Sequence, residues 1–121
     1  MLHSTNNQVD LLVSCADGRP SVDFADGYGM KRTFGRHAYY AAVSSVAGAL
    51  GHSLGASGPL SVALALEAIR RQQVFPVAGF EAAEEDLDLA YVTTTRDEKL
   101  DCVLVTSLGL GGTNVSLLLH R

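Results

Sequence analysis

The apolar positions fall into short blocks separated by glycine, proline and charged turns. Residues 9–14, VDLLVS, form an apolar run that ends in Cys-Ala-Asp-Gly, the pattern of a buried strand entering a turn. A helix is expected next over ADGYGMKRTFG, capped by Ser21 or Asp23 and stopped by Gly35, with Gly27 and Gly29 weakening it. After a polar turn at Arg36-His37, AYYAAVSSV reads as a strand, and residues 47–58, small and carrying four glycines, read as a site loop. Pro59 then opens PLSVALALEAIRRQQ, with Ser57 as the expected cap. Apolar residues run almost all the way round that helix, so other layers should cover both of its faces. AYVTT and CVLVTSLGLGGTNVSLLLHR are mostly apolar and alternate poorly, as central strands covered on both faces do. Strand, helix, strand, helix and two or three further strands predict an α/β layered domain, with residues 1–8 as an extension and 9–121 as the domain.

Composition narrows the partners. The chain has 121 residues and 47% hydrophobic content, enough for one packed core. Its net charge of −4, with nine Lys and Arg that form no basic run, argues against nucleic acid or an anionic membrane as partner. The first ten residues, MLHSTNNQVD, lack a basic and then apolar leader, and no stretch reaches the roughly 20 apolar residues that cross a bilayer, so a cytoplasmic location is expected. Cys15 and Cys102 lack metal-like or CxxC spacing and read as two thiols, Cys102 buried. No metal or organic cofactor is implied. The acidic residues 81–88 read as a solvated connection, and His3, His37 and His120 as surface histidines.

Two motifs carry chemistry. Gly51-His52-Ser53-Leu54-Gly55 matches G-x-S-x-G, the elbow that exposes a nucleophilic serine, and Asp101 and His120 follow in the order used by serine hydrolases and acyltransferases. Against that reading, helix-forming sequence starts only at Pro59 and His120 is next to last. The second motif, Gly109-Leu110-Gly111-Gly112-Thr113-Asn114, could approach a phosphate, but a strand rather than a helix follows it, which suits a tight turn between strands.

Taken together, VSSVAGALGHSLGASG, SLGLGGTNVSLLLHR, FGRHAYYAAVSSV, EAIRRQQVFPVAGFE and VDLLVSCADGRPSVDFADGYGMKRTFG resemble, at matching spacing, the C-terminal half of a thiolase-fold β-ketoacyl synthase. The resemblance covers nearly all residues after Gln8. It implies a thiolase-like half, a layered mixed sheet with helices on its faces. It also implies the family's chemistry, in which a cysteine of the other half takes an acyl group. Two histidines of this half donate hydrogen bonds to the enolate oxygen formed as malonyl thioester is decarboxylated.

Only one of those histidines has a counterpart, His52; the other falls on Cys15. The family's lysine falls on Ala47, its glutamate on Ser61, and the aromatic residues of its Gly-rich turn on Leu108 and Leu110. The resemblance therefore implies a degenerate, chain-length-factor-like half in which Leu108, Leu110, Gly111 and Gly112 border the acyl substrate. It also implies two partners, a nucleophile-bearing ketosynthase half or subunit and an acyl carrier protein. A variant is a split synthase to which this chain contributes His52. Cys15 stands at a histidine position and its nearest cation in sequence is Arg19, so it is not expected to act as the nucleophile.

Overall fold

The computed structural model describes residues 9–15, 20–47, 56–78, 89–108 and 114–121. Strand β1 (Leu11–Ser14) leads to helix α1 (Pro20–Phe34), a 3-10 turn (Gly35–Tyr39), strand β2 (Ala42–Ser45) and helix α2 (Ser57–Arg71). Short strands β3 (Gln73–Val74), β4 (Ala90–Tyr91) and β5 (Arg96–Asp97) precede the longer β6 (Cys102–Leu108) and β7 (Asn114–His120). The main sheet has the order β4-β2-β1-β6-β7, with β3 and β5 forming a separate antiparallel pair. β1 runs parallel to β2 and β6, β4 is parallel to β2, and only β7 is antiparallel to its neighbour.

Because successive strand residues face opposite sides, β1 supplies both cores. Leu11 and Val13 join Ala65, Ala68, Val103 and Val105 under α2. Leu12 joins Met30, Ala38, Val43 and Cys102 on the other side, with Phe34 of α1 packed against them. Burial of Cys102 agrees with its place in CVLVT. The fully buried residues of α2 are Ser61, Ala65 and Ala68, spaced four and three apart, so one small-residue stripe lets the helix approach closely, with Val62 and Ile69 packed beside it.

The observed boundaries correct several expectations. α1 begins at Pro20, ahead of both expected caps, because a proline at the first helical position is already set to helical φ and loses no hydrogen bond. It continues through Gly27 and Gly29, and Gly35, at φ +57°, ends it as expected. The Arg36-His37 turn is a 3-10 helix. His37 is not a free surface residue: it is half-buried, with Nε2 2.8 Å from the Val9 carbonyl. Ser57 is inside α2 rather than capping it; Ala56 is the cap and makes no side-chain bond. AYVTT yields only the two-residue β4, and among the described residues β4 and β7 are the outermost strands of the sheet, not central ones.

Two side chains align the parts. The Asp10 carboxylate accepts the Asp101 and Cys102 N–H groups (2.9 and 3.2 Å), while its own backbone bonds both β6 and β2, so the three strand starts are held level. Gln72 closes α2 in the left-handed region (φ 53°), and its amide clamps Leu100, donating to the carbonyl and accepting from the N–H, both at 2.8 Å. It also donates to Ile69 O.

Gln72→Gly would relieve about 1 kcal/mol of left-handed strain but lose three bonds of about 1 kcal/mol each, so a net loss of about 1–2 kcal/mol is expected in urea unfolding. Leu12→Ala should cost more, about 2–5 kcal/mol, since Leu12 is fully buried.

Candidate functional site

β1, β2 and β6 are parallel and finish at the same end of the sheet. α1 and α2 cover opposite faces, the arrangement in which ligands bind beyond the carboxyl ends of strands. Cys15 directly follows β1 at this end, and Ala47 follows β2, its N–H 3.4 Å from Ser45 Oγ. Gly58, in the first turn of α2, abuts the end of β6: a Cβ added there would lie 3.6 Å from Ser107 Oγ. Residues 48–55, with His52 and Ser53, and 109–113, with Leu110, Gly111 and Gly112, lie outside the described residues. The described residues that flank both segments, Ala47 and Gly58 for one and the ends of β6 and β7 for the other, meet at this end.

Four residues form a polar network here that the sequence alone did not reveal. Asp26, buried on α1, accepts hydrogen bonds from Ser14 Oγ and, at 2.9 Å, from Thr106 Oγ1. Thr106 Oγ1 in turn accepts the Cys15 backbone N–H at 3.2 Å. The carboxylate thus ties α1 to β1 and β6. The available signal was a carboxylate four and eight residues before Met30 and Phe34, on the core-facing stripe of α1.

Cys15 is a thiol in this setting. Burial, and then the Asp26 charge, push its pKa from 9.0 up to about 12. A protonated thiol is a weak nucleophile, and it cannot donate to an oxyanion as a histidine would. Ser61, where the resemblance implies a glutamate, is buried in the stripe of α2 that meets the sheet. A small side chain at that position lets the helix pack without burying a charge. A cavity of about 680 Å³ opens beside the network, between α1 and the β6–β7 hairpin, lined by Gly29, Met30, Phe34, Leu104 and Leu118 with Asp26 and Thr106 among them.

The serine hydrolase reading is not supported. Asp101 and His120 sit where β6 begins and β7 ends, whereas the residues flanking the Ser53 segment are at the other end of β6, about 20 Å away. Asp101 is also paired with Lys99 and Arg121, and His120 lies 4.0 Å from Cys102 Sγ. Among the described residues no group of three or more metal-ligating side chains occurs, and no helix is long and apolar enough to cross a membrane.

The sheet order, the helices on both faces and the site at the carboxyl ends of the parallel strands define a thiolase-type α/β domain. Residues 1–81 match the family described as beta-ketoacyl synthase, C-terminal domain, and the chain belongs to that family. It is 38% identical over 115 residues to 3-oxoacyl-[acyl-carrier-protein] synthase 2 of Coxiella burnetii, covering 94% of this chain and 28% of that protein. It is 36% identical over 114 residues to the granaticin polyketide putative beta-ketoacyl synthase 1 of Streptomyces violaceoruber, covering 93% and 27%. The chain therefore spans little more than a quarter of the length of these relatives. In structure it superposes on the ishigamide ketosynthase/chain length factor with a TM-score of 0.90 at 20% identity, covering 96% of this chain and 28% of that one. A type II polyketide acyl-carrier protein in complex with its ketosynthase bound to the hexaketide gives 0.92 at 19%, covering 96% and 29%.

Iodoacetamide at pH 8 should leave Cys15 of the folded chain unmodified and label it on unfolding. The folded-state pKa is raised, so the Cys15 contribution to stability is complete below about pH 9 and is lost as pH climbs toward about 12. Unfolding curves of the wild type and Cys15→Ala should therefore converge over that window. Asp26→Ala removes the shared acceptor of the Ser14 and Thr106 hydroxyls and should cost about 2–3 kcal/mol in urea unfolding.

Proposed function

We propose that this chain is a degenerate, chain-length-factor-like half of a β-ketoacyl synthase of fatty acid or polyketide synthesis. It takes part in condensation of acyl- and malonyl-carrier-protein thioesters by joining a ketosynthase part that carries the nucleophilic cysteine. In this reading Leu108 and Leu110 line the acyl tunnel, with Gly111 and Gly112 leaving room for the chain. His52 remains as the single family histidine, and the carrier protein's thioester is substrate rather than cofactor.

The observation that carries the reading is the state of Cys15. Where the resemblance implies a histidine that stabilises an enolate, the residue is a half-buried neutral thiol beside a carboxylate. A negative charge developing near that carboxylate would be repelled, so enolate stabilisation at this position is lost rather than replaced. The need for a partner is supported by α2. The sequence is apolar round nearly the whole helix, yet full burial is confined to Ser61, Ala65 and Ala68, with Val62 and Ile69 packed beside them, and Leu66 is 53% exposed on the opposite side. Two packed layers need a further layer over such a face.

The test is co-expression with a nucleophile-bearing ketosynthase encoded beside this chain's gene, followed by solution mass and malonyl-thioester decarboxylation. A one-to-one complex is expected, weakened at least tenfold by Leu66→Asp, with His52→Ala changing decarboxylation by less than about twofold. A large loss with His52→Ala would replace the degenerate reading with the split-synthase one. A chain that stays monomeric beside that partner would overturn the proposal.

A further inference from the structure

We propose that the corner where α1 ends and the 3-10 turn begins is a docking surface for an acidic segment of a partner protein. Arg32 and Arg36 take its carboxylates, and the tyrosines around them take its apolar side chains. This surface is separate from the candidate site and does not depend on the reading of that site.

The corner stands apart from the rest of the chain in charge. The sequence has no Asp or Glu from Gly27 to Leu66, and Lys31, Arg32 and Arg36 fall within that span. The five cations further along are each paired with a carboxylate: Arg70 and Arg71 with Glu67, Arg96 with Glu98, and Lys99 and Arg121 with Asp101. Among the described residues neither Arg32 nor Arg36 has an ion pair, and both are exposed. In a chain of net charge −4 this is a local reversal of sign, which selects a partner surface of the opposite sign.

Aromatic exposure coincides with the charge. Three of the four tyrosines are exposed here, Tyr28 at 51%, Tyr39 at 45% and Tyr40 at 78%. Tyr28, Lys31 and Arg32 are spaced three and four apart along α1 and so share one face. Lys31 Nζ lies 5.3 Å from the centre of the Tyr39 ring, which joins the 3-10 turn to that face. Basic residues in the last turn of a helix stabilise its carbonyl end, and this accounts for Lys31 and Arg32. It accounts neither for Arg36, which lies beyond the helix, nor for three aromatic rings left in water. Tyrosine and arginine are the residues that protein interfaces concentrate, and a guanidinium donates two parallel bonds to one carboxylate.

Charge and position together define the occupant. A polyanion such as nucleic acid is held at physiological salt by many phosphate contacts, more than three cations supply, and the net charge of the chain repels it. A short segment that alternates carboxylates with apolar residues uses both the guanidinium groups and the rings. α1 starts beyond the carboxyl end of β1, and its 15 residues, at about 1.5 Å each, carry the chain about 20 Å to the other end of the sheet. There His37 bonds the Val9 carbonyl, just ahead of β1. A partner seated on this corner leaves the candidate site open, so it acts as a tether and not as a donor of substrate.

The experiment uses the full chain and three fluorescent probes, read by anisotropy and by amide chemical shifts. The probes are a short peptide of alternating glutamate and leucine, the same peptide with lysine in place of glutamate, and a single-stranded DNA of equal length. The glutamate peptide should bind at least about tenfold more tightly than the lysine peptide at low salt, and should lose that advantage near 1 M salt, where charges are screened within about 3 Å. It should shift the amides of Arg32, Arg36 and Tyr39 and leave those of Cys15 and Thr106 in place. Arg32→Glu with Arg36→Glu should abolish the preference, and Tyr40→Ser should weaken binding at least about threefold. Arg32→Gln with Arg36→Gln serves if the reversed charges lower the melting temperature, and should weaken binding at least about tenfold. Leu66→Asp, on the other surface, should leave it unchanged. Equal binding of the two peptides, or glutamate-peptide binding that survives both arginine pairs, would overturn the proposal. DNA bound more tightly than the glutamate peptide, and released by the same arginine variants, would assign the corner to a polyanion and overturn the acidic protein segment.

Discussion

Everything in this domain is referred to β1, a strand of only four residues. It lies between β2 and β6, parallel to both, and Leu11, Leu12 and Val13 are wholly buried. Alternate side chains of so short a strand feed two separate cores, so neither helix can dock unless β1 is in register with both neighbours. A slip of one residue would exchange the two faces and place Leu12 under α2 in place of Leu11 and Val13. The register is held from below by Asp10, whose carboxylate and backbone bond β6 and β2 together, and from above by Asp26, which gathers Ser14 and Thr106.

Those two carboxylates also explain why part of the fold was legible in the sequence and part was not. Blocks such as VDLLVS and CVLVT announce buried strands through local composition alone, and Gly35 and Pro59 mark helix ends through fixed backbone preferences. The β6 partners of the two carboxylates lie 80 to 92 residues away in the chain and Ser14 lies 12 from Asp26 across a turn, and nothing in local periodicity records such pairings. The contact of His37 is hidden from the sequence for the same reason: its acceptor is the Val9 carbonyl, a main-chain atom that no residue type advertises. β7 was misjudged differently. Apolar residues on both sides of a strand signal cover on both faces, and among the described residues nothing covers Val115 and Leu117, which are exposed.

At the candidate site, the departures from the family pattern form a consistent set in physical terms. A histidine at position 15 would face the Asp26 carboxylate across the end of β1, while a glutamate at position 61 would be driven into the contact between α2 and the sheet. The residues present avoid both situations: a neutral thiol stands beside Asp26, and a serine occupies the helix stripe. With Ser14 and Thr106 both donating to it, Asp26 acts as a structural tie between α1 and the end of the sheet.

A contrast between local completeness and wider incompleteness governs the outer surfaces. The polar groups at the centre of the domain are largely satisfied within the chain, whereas among the described residues the periphery leaves an apolar helix face at Leu66 and an outer edge of β7 with no strand beside it. These two surfaces differ in what they demand. A helix face needs only apolar area and tolerates many partners, but a strand edge needs N–H and C=O groups at a fixed spacing and direction.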